Sequence, residues 1–241
     1  MNGLLEIEAA GAAMRIVIDD GKVNAMSIPM LEALHAAFDR AAQEEAGAVI
    51  LTARGRVFSA GFDLNTLRGG VAEDLHRILT LGAELALKLL TFPRPVVAAV
   101  PGAAFPMGAF LVLSSDLRLS SPGVHRIGLN ETRIGLAVPR FAVEVARQRL
   151  TPAVFNRTVT TGEMFPPDEA LAAGFYDRLV PADALQAEAE AAAADLATIP
   201  TAFHHPSKLR ARAPAIAAIR AAIDEDLTLE AAKARVAARA A

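Results

Sequence analysis

The stretch MRIVIDDGKVNAMSIPMLEALHAAFDRAAQEEAGAVILT, residues 14–52, holds two apolar runs on either side of an amphipathic segment. The runs at 14–18 and 48–52 are short and rich in β-branched residues, which is typical of buried strands. Between them apolar residues recur every three or four positions, with Ser27 as a candidate N-cap and Pro29 in the first turn. The stretch therefore predicts a strand, a helix and a second strand.

The same alternation continues to residue 100. A second amphipathic stretch runs from Leu75 to Leu89, and Pro93 stops it just before the apolar run at 96–100. Alternating strands and helices are the pattern of right-handed crossover units with parallel strands. The first part of the chain, roughly 120 residues, therefore predicts an α/β fold.

Helical signals dominate after Pro139, with one short strand expected at residues 176–180. Pro214 is expected to break or kink the helix of the last segment, because proline lacks the N–H that a helix interior needs. No repeat of about 20–50 residues and no Gly/Ser-rich linker divides the chain. We predict one core with a helical C-terminal extension.

Composition excludes several classes of protein. The chain has 241 residues, 24 Lys and Arg against 27 Asp and Glu, and 53% apolar residues, so a sizeable core is expected and binding to nucleic acid or anionic lipid is not. The absence of cysteine excludes disulfides, thiolate nucleophiles and iron–sulfur clusters. Acidic residues stand where a secretory signal would be positive, and charges interrupt every apolar run before about 20 residues, so we expect a cytoplasmic protein.

Motifs for nucleotides and metals are missing from the sequence. There is no G-x-G-x-x-G after a strand and no G-x-x-x-x-G-K-[ST], so no dinucleotide or triphosphate cradle is predicted. The five histidines form no H-E-x-x-H pattern, so no metal site is predicted.

Two loops after apolar runs combine glycines with small residues: RVFSAGFDL at 56–64 and PGAAFPMGA at 101–109. Small residues let another molecule approach the backbone, and amides at a loop-to-helix junction point at whatever lies there. Two such amides that converge on one oxygen form an oxyanion hole. The alternative is that each loop is a tight turn in which the glycines serve backbone geometry alone.

The third segment of interest is IGLNETRIGL at 127–136, where one carboxylate sits among apolar residues and glycines. Such surroundings disfavour the charged form of Glu131 and suit it to proton transfer. The alternative is an exposed charge paired with Arg126 or Arg133.

These segments resemble blocks of the crotonase, or enoyl-CoA hydratase/isomerase, superfamily. The resemblance spans about residues 14–180 and rests on VNAMS at 23–27, FSAGFDL at 58–64, residues 95–118 and residues 170–180, in the order of the family. Several ordered blocks are more specific than one short motif.

The resemblance implies an α/β fold, a crotonase-like spiral of β-β-α turns over residues 1–180. It also implies a helical oligomerisation region over residues 181–241 that forms homotrimers or dimers of trimers. The implied ligand is an acyl-CoA thioester, in which coenzyme A is part of the substrate, and neither a separate cofactor nor a metal is implied.

The resemblance also assigns the oxyanion hole to the backbone N–H groups of Ala60 and Met107. The family commonly has three consecutive glycines where this chain has Pro106, Met107 and Gly108. Since Pro106 has no N–H, Met107 must supply the second donor. Phe105 and Met107 add bulk that would narrow the acyl tunnel, so a closed pocket is one alternative.

Hydratases of the family use two glutamates, and aligning the loops puts Phe110 at the first position and Glu131 at the second. One carboxylate suffices to move a proton from C2 to C4 of a 3-enoyl thioester. Residues 127–132 also resemble the mitochondrial Δ3,Δ2-enoyl-CoA isomerases. The implied activity is an isomerase of fatty acid metabolism with Glu131 as catalytic base; the alternatives are a hydratase, another crotonase reaction or a non-catalytic CoA-binding paralogue.

The remaining residues that the resemblance implies for substrate or CoA lie in or near the same loops. They are Lys22, Asn24, Ala25, Phe58, Ser59, Ala60, Gly61, Phe62, Asp63, Leu64, Phe105 and Phe110. Asp63 is a second candidate acid, although its match to a common family Asp at a helix start favours a structural role. Lys208 is a candidate to reach the CoA phosphates of a neighbouring subunit.

Overall fold

The computed structural model describes residues 3–240, which form ten strands and ten α-helices. The strands are β1 (Leu5–Ala10), β2 (Ala13–Ile18), β3 (Ala48–Ala53), β4 (Val57–Ser59), β5 (Val96–Val100), β6 (Ala103–Ala104), β7 (Leu117–Ser120), β8 (Ile127–Gly128), β9 (Met164–Phe165) and β10 (Arg178–Leu179). The helices are α1 (Ile28–Gln43), α2 (Leu64–Arg68), α3 (Ala72–Thr91), α4 (Pro106–Ser114), α5 (Arg140–Arg147), α6 (Pro152–Thr161), α7 (Pro167–Ala173), α8 (Leu185–Leu196), α9 (Thr201–Asp226) and α10 (Leu229–Ala240).

The predicted strands lie next to one another in one large sheet. Its order is β1-β2-β3-β5-β7-β10, and all neighbours are parallel except the antiparallel hairpin of β1 and β2. Ser27 caps α1 as predicted, since its hydroxyl accepts a hydrogen bond from the amide of Met30 at 3.4 Å. The α/β alternation read from residues 14–100 is therefore confirmed.

A second, small sheet gives the fold its spiral. Its order is β4-β6-β8-β9, and β4, β6 and β8 each follow a strand of the large sheet along the chain. Each turn of the chain thus adds one strand to each sheet, and after β4 and β6 it goes on into a helix. This is the expected succession of β-β-α turns, and it brings the segments that follow β4, β6 and β8 to the same side of the molecule.

The C-terminal helices pack onto this core. Buried residues of α8 cover the face of the large sheet formed by Ile50 and Val97. Ile219 and Ile223 of α9 belong to the main core, and α10 packs against α3. Among residues 3–240 no helix has the length and apolar character needed to cross a membrane.

Pro214 does not end the helix of the last segment, so the prediction of a break there is wrong. The helix α9 runs from Thr201 to Asp226 with Pro206 and Pro214 inside it. An internal proline costs a helix about 3 kcal/mol through a lost hydrogen bond and a steric clash. Burial of the apolar face of α9 offsets that cost, which local sequence rules do not include.

Candidate active site

The two small-residue loops lie side by side. Strands β4 and β6 are parallel neighbours, and the amide of Phe105 donates to the carbonyl of Ser59 at 2.9 Å. Gly61 has a φ of +87°, and a Cβ there would lie 3.4 Å from Pro106. The first loop thus needs a glycine at this position, and it contacts the start of α4.

Hydrogen bonds decide which loop amides are free to bind a ligand. The amide of Ala60 donates to the carbonyl of Val23 at 3.0 Å, and that of Gly61 donates to Oγ of Ser59 at 3.1 Å. The amide of Phe62 donates no hydrogen bond to any residue from 3 to 240. The assignment of the first donor to Ala60 therefore needs correction, because that amide is already engaged within the protein.

The second loop offers the amide of Met107. It lies in the first turn of α4, where backbone N–H groups have no partner inside the helix. The first hydrogen bond of this helix runs from the amide of Ala109 to the carbonyl of Phe105 at 2.9 Å. Pro106, which has no N–H, occupies a position in the first turn where that loss costs nothing.

Glu131 begins a 3-10 turn, Glu131–Ile134, which two residues separate from the end of β8. The residue is only 6% exposed, and its Oε2 has no hydrogen-bond partner in the described part of the chain. Burial raises the pKa of this carboxyl from 4.5 to about 7, against a smaller opposing effect of a backbone hydrogen bond. A carboxyl with such a pKa can both accept and return a proton near neutral pH.

The alternative pairing of Glu131 with a nearby arginine is wrong. Arg126 donates to the carbonyl of Met164 at 3.0 Å, and Arg133 donates to the carbonyl of Gly162 at 3.0 Å. Both arginines thus hold the segment around β9 and the end of α6. The carboxyl of Glu131 thus has no ion-pair partner among residues 3–240 that would offset the rise in its pKa caused by burial.

Two adjoining cavities meet at Glu131. The first, which we call the loop cavity, has a volume of about 260 Å³ and is lined by Ala60, Gly61 and Phe105 of the two loops and by Glu131. The second, the α10 cavity, has about 360 Å³ and reaches α10. Phe62, Leu67, Glu131 and Leu136 line both cavities.

The bulky residues of the second loop do not close this space. Met107 is fully buried, and its Sδ lies 3.1 Å from the position of a Cβ on Gly82 of α3. Met107 is part of the core and lines neither cavity. Phe105 lines the loop cavity, which nonetheless stays open.

Phe110 lies in the core. Its ring packs edge to face on Phe141 with centroids 5.7 Å apart, and it lines neither of the two cavities. Among the described residues that line the loop cavity, Glu131 is the only acid. The cavity thus presents one carboxylate.

The segment from Lys22 to Ala25 is built around Asp20, which no sequence signal beyond its place in a turn singles out. Its carboxylate accepts hydrogen bonds from the amides of Lys22, Asn24 and Ala25 at 2.8–2.9 Å. Burial raises the pKa of Asp20, but these hydrogen bonds outweigh it and bring the pKa below its usual value. Lys22 is exposed.

Asn24 and Ser59 support the first loop. Asn24 is buried at a φ of +55°, and its side chain donates to the carbonyl of Val57 at 2.7 Å. The hydroxyl of Ser59 donates to the carbonyl of Asn24 at 2.8 Å while it accepts from Gly61. Phe58 is fully buried beneath them. These contacts fix the backbone of the first loop, which lines the loop cavity through Ala60, Gly61 and Phe62.

Asp63 caps a helix. Its carboxylate accepts hydrogen bonds from the amides of Asn65 and Thr66 and from the Thr66 hydroxyl, and it is the N-cap of α2. Burial raises its pKa, yet these hydrogen bonds lower it below the usual value. The exposed Leu64 follows and lines the loop cavity.

Lys208 is not available to a ligand on a neighbouring subunit. Its ammonium is buried and donates to Asp116 at 2.7 Å. Burial, partly offset by Asp116, lowers its pKa from 10.5 to about 8. The expectation that Lys208 reaches CoA phosphates is therefore wrong.

Comparisons with known proteins agree with this geometry. The family model described as enoyl-CoA hydratase/isomerase matches residues 8–233. Human mitochondrial enoyl-CoA delta isomerase 1 is 28% identical over 200 residues, 82% of this chain and 66% of the relative, so the chain spans about two thirds of that relative's length. A putative enoyl-CoA hydratase of Thermus thermophilus is 33% identical over 199 residues, 80% of this chain and 78% of the relative.

Solved structures extend the similarity to the whole fold. An enoyl-CoA hydratase from Mycobacterium marinum is 39% identical with a TM-score of 0.89, over 95% of this chain and 99% of that chain. Human mitochondrial delta3-delta2-enoyl-CoA isomerase is 25% identical with a TM-score of 0.85, over 98% of both chains. The spiral of β-β-α turns and the family match together identify this chain as a member of the enoyl-CoA hydratase/isomerase family of the crotonase superfamily.

Proposed function

We propose that this chain is a Δ3,Δ2-enoyl-CoA isomerase, which shifts the double bond of a 3-enoyl-CoA to the 2 position. The observation that carries the proposal is the single acid of the loop cavity, Glu131, with its unpartnered Oε2 and its pKa raised to about 7. A double-bond shift needs one group that removes a proton and returns it. Hydration through two carboxylates would need a second acid. The position where hydratases of the family have it is occupied here by the buried Phe110.

The two free amides have the role of oxyanion hole in this proposal. The N–H groups of Phe62 and Met107 donate to the thioester oxygen, with Phe62 in the place expected for Ala60. Glu131 takes a proton from C2, the electron pair spreads over a dienolate whose oxygen the amides stabilise, and Glu131 returns the proton to C4. Loss of one oxyanion donor typically slows an enzyme by about 10²–10³.

The wider assignments follow from the same proposal. The substrate is an acyl-CoA thioester, whose CoA part lies along the segment from Lys22 to Ala25 and the first loop. We also propose a homotrimer or dimer of trimers built through the C-terminal helices, and no cofactor besides the substrate's own coenzyme A.

A two-substrate assay tests the reaction. Purified protein receives a 3-enoyl-CoA or a 2-enoyl-CoA, and absorbance follows the conjugated thioester. We expect the 3-enoyl substrate to become conjugated, the Glu131→Gln variant to lose this activity while it still binds acyl-CoA, and the control Glu188→Gln, at an exposed site on α8, to keep it. Loss of the absorbance of the 2-enoyl thioester would instead identify a hydratase. No change of absorbance with either substrate would exclude both activities.

A further inference from the structure

The α10 cavity has an unusual pattern of charge. Leu75 and Leu79 of α3 form an apolar wall, while Arg140, Arg235 and Arg239 also line it. Glu131 is the only acid among the described residues around this cavity, and its raised pKa reduces its negative charge near neutral pH. The cavity therefore combines an apolar wall with three guanidinium groups.

Only one of these three arginines has an acidic partner among residues 3–240. Arg140 is paired with Glu225 at 2.6 Å and with Asp226 at 3.5 Å. Arg239 donates to the carbonyl of Leu67, and Arg235 makes no hydrogen bond or ion pair within the described residues. Arg235 and Arg239 are four residues apart on α10, which places them on the same side of that helix.

The loop cavity and the α10 cavity adjoin each other between the first loop and these arginines. Phe62 and Glu131 line both the loop cavity and the α10 cavity. If the thioester lies at the amides of the loop cavity, as the proposed function requires, an acyl chain continues past Glu131 along the wall of Leu75 and Leu79. Its far end then lies at α10.

We propose that the α10 cavity binds an acyl chain whose far end carries a carboxylate, so that the preferred substrates are ω-carboxyacyl-CoA thioesters. This proposal rests on the proposed function only for the placement of the thioester. A guanidinium group matches a carboxylate with two parallel hydrogen bonds, and the exposed Arg235 spends none of its donors on another residue from 3 to 240. The apolar wall accommodates the methylene groups between the two ends.

A simpler account of the same arginines makes the opposite prediction. Arginine side chains often lay their methylene stems on apolar surface and keep the charged head in water. In that case the cavity would accept a plain alkyl chain, and a carboxylate at its end would lose hydration without gaining a partner. The preference between the two tails therefore separates the accounts.

Binding of unreactive saturated thioesters tests the proposal independently of turnover. Calorimetric titration compares an alkyl acyl-CoA with an ω-carboxyacyl-CoA of equal chain length. We expect the full chain to bind the carboxylate form more tightly, and Arg235→Gln to reduce that preference about tenfold, the effect of one charge-assisted contact. Lys233→Gln, an exposed site on the same helix that lines neither cavity, is the matched control and should leave the preference unchanged.

The outcomes separate this proposal from the isomerase. Equal preference in the original chain and Arg235→Gln would overturn the carboxylate subsite, as would a parallel loss in Lys233→Gln or the absence of binding by either thioester. A chain that prefers the carboxylate form through Arg235 but fails to isomerise 3-enoyl substrates would keep the subsite and overturn the isomerase.

Discussion

At the scale of a residue, Glu131 joins function to a cost in stability. Its carboxyl is buried and has no cation partner in the described part of the chain, so ionisation inside the folded protein is unfavourable. The pKa raised from 4.5 to about 7 corresponds to about 3 kcal/mol at ~1.4 kcal/mol per pKa unit. A folded protein that keeps such a group keeps it against its own stability, as active sites often do.

The sign of the pH dependence follows from linkage. Between the unfolded pKa near 4.5 and the folded pKa near 7, the folded state holds the proton of Glu131 and the unfolded state has lost it. The contribution of this residue to the free energy of unfolding therefore falls as pH rises through that window. Glu131→Gln has no such proton, so relative to the original chain it should gain roughly 2–3 kcal/mol between pH 4.5 and pH 8.

Urea unfolding of both proteins at the two pH values measures this difference. All other titrating groups occur in both chains and cancel when the two free energies of unfolding are subtracted. A difference that stays constant with pH would mean that the pKa of Glu131 is not raised. The main argument for Glu131 as the catalytic base would then fail.

The setting of Glu131 could be predicted from the sequence, whereas the first oxyanion donor and the role of Arg235 could not. The apolar setting of Glu131 was visible in IGLNETRIGL, and burial follows from it. The choice between Ala60 and Phe62 was not visible, because it depends on a hydrogen bond from Ala60 to Val23, which lies 37 positions earlier in the chain. Arg235 was equally hidden, since its relevance comes from the packing of α10 next to Glu131.

At the scale of elements, the strands and helices of residues 14–100 could be predicted. There the spacing of apolar residues and the capping residues and prolines at the ends of elements agree with the fold. The unbroken α9 could not be predicted, since tertiary burial of Ile219 and Ile223 overrides the effect of Pro214. The short strands β6, β8 and β9 have two residues each, too few for any periodicity. Their pairing nevertheless sets the two loops beside Glu131.

The contact between α3 and the loops yields a prediction about Gly82. A Cβ at this position would lie 2.5 Å from Cζ of Phe62 and 3.1 Å from Sδ of Met107. Replacing a helical glycine with alanine ordinarily stabilises a helix by about 1 kcal/mol. Here the clash with the Phe62 ring should outweigh that gain in helix stability. Gly82→Ala should therefore lower the free energy of unfolding by roughly 1–3 kcal/mol.

The same substitution should also reach the site. Displacing the ring of Phe62 tilts the backbone whose amide we assign to the oxyanion hole, so kcat/KM for a 3-enoyl-CoA should fall at least tenfold. Unfolding curves and initial rates measure the two effects. The double variant Gly82→Ala with Phe62→Leu removes the clash and should recover stability; if it does not, crowding of the ring is not the cause.

At the scale of the whole molecule, a buried ion cluster attaches α9 to the large sheet. Asp116, at the start of β7, accepts from Lys208 at 2.7 Å and from Arg212 at 2.8 Å, and from the amide of Val96 in β5 at 2.8 Å. Asp116, Lys208 and Arg212 line a surface cavity together with Arg149 and His204, and Asp116 is the only acid among the described residues around it. One carboxylate thus balances several buried cations.

Asp116→Asn should therefore be among the most destabilising single changes in the chain. The amide side chain keeps an oxygen for Val96 but leaves Lys208 and Arg212 buried without a counter-charge, which typically costs about 3–5 kcal/mol. The exposed pair of Arg140 on α5 and Glu225 on α9 provides the control: Glu225→Gln should cost less than about 1 kcal/mol. Urea midpoints of both variants measure the contrast.

Lys208→Met added to Asp116→Asn should restore part of the loss, because one unpaired cation is then removed. If the two changes are instead additive, Asp116 and Lys208 do not act as a pair and the attachment of α9 rests on its apolar face alone.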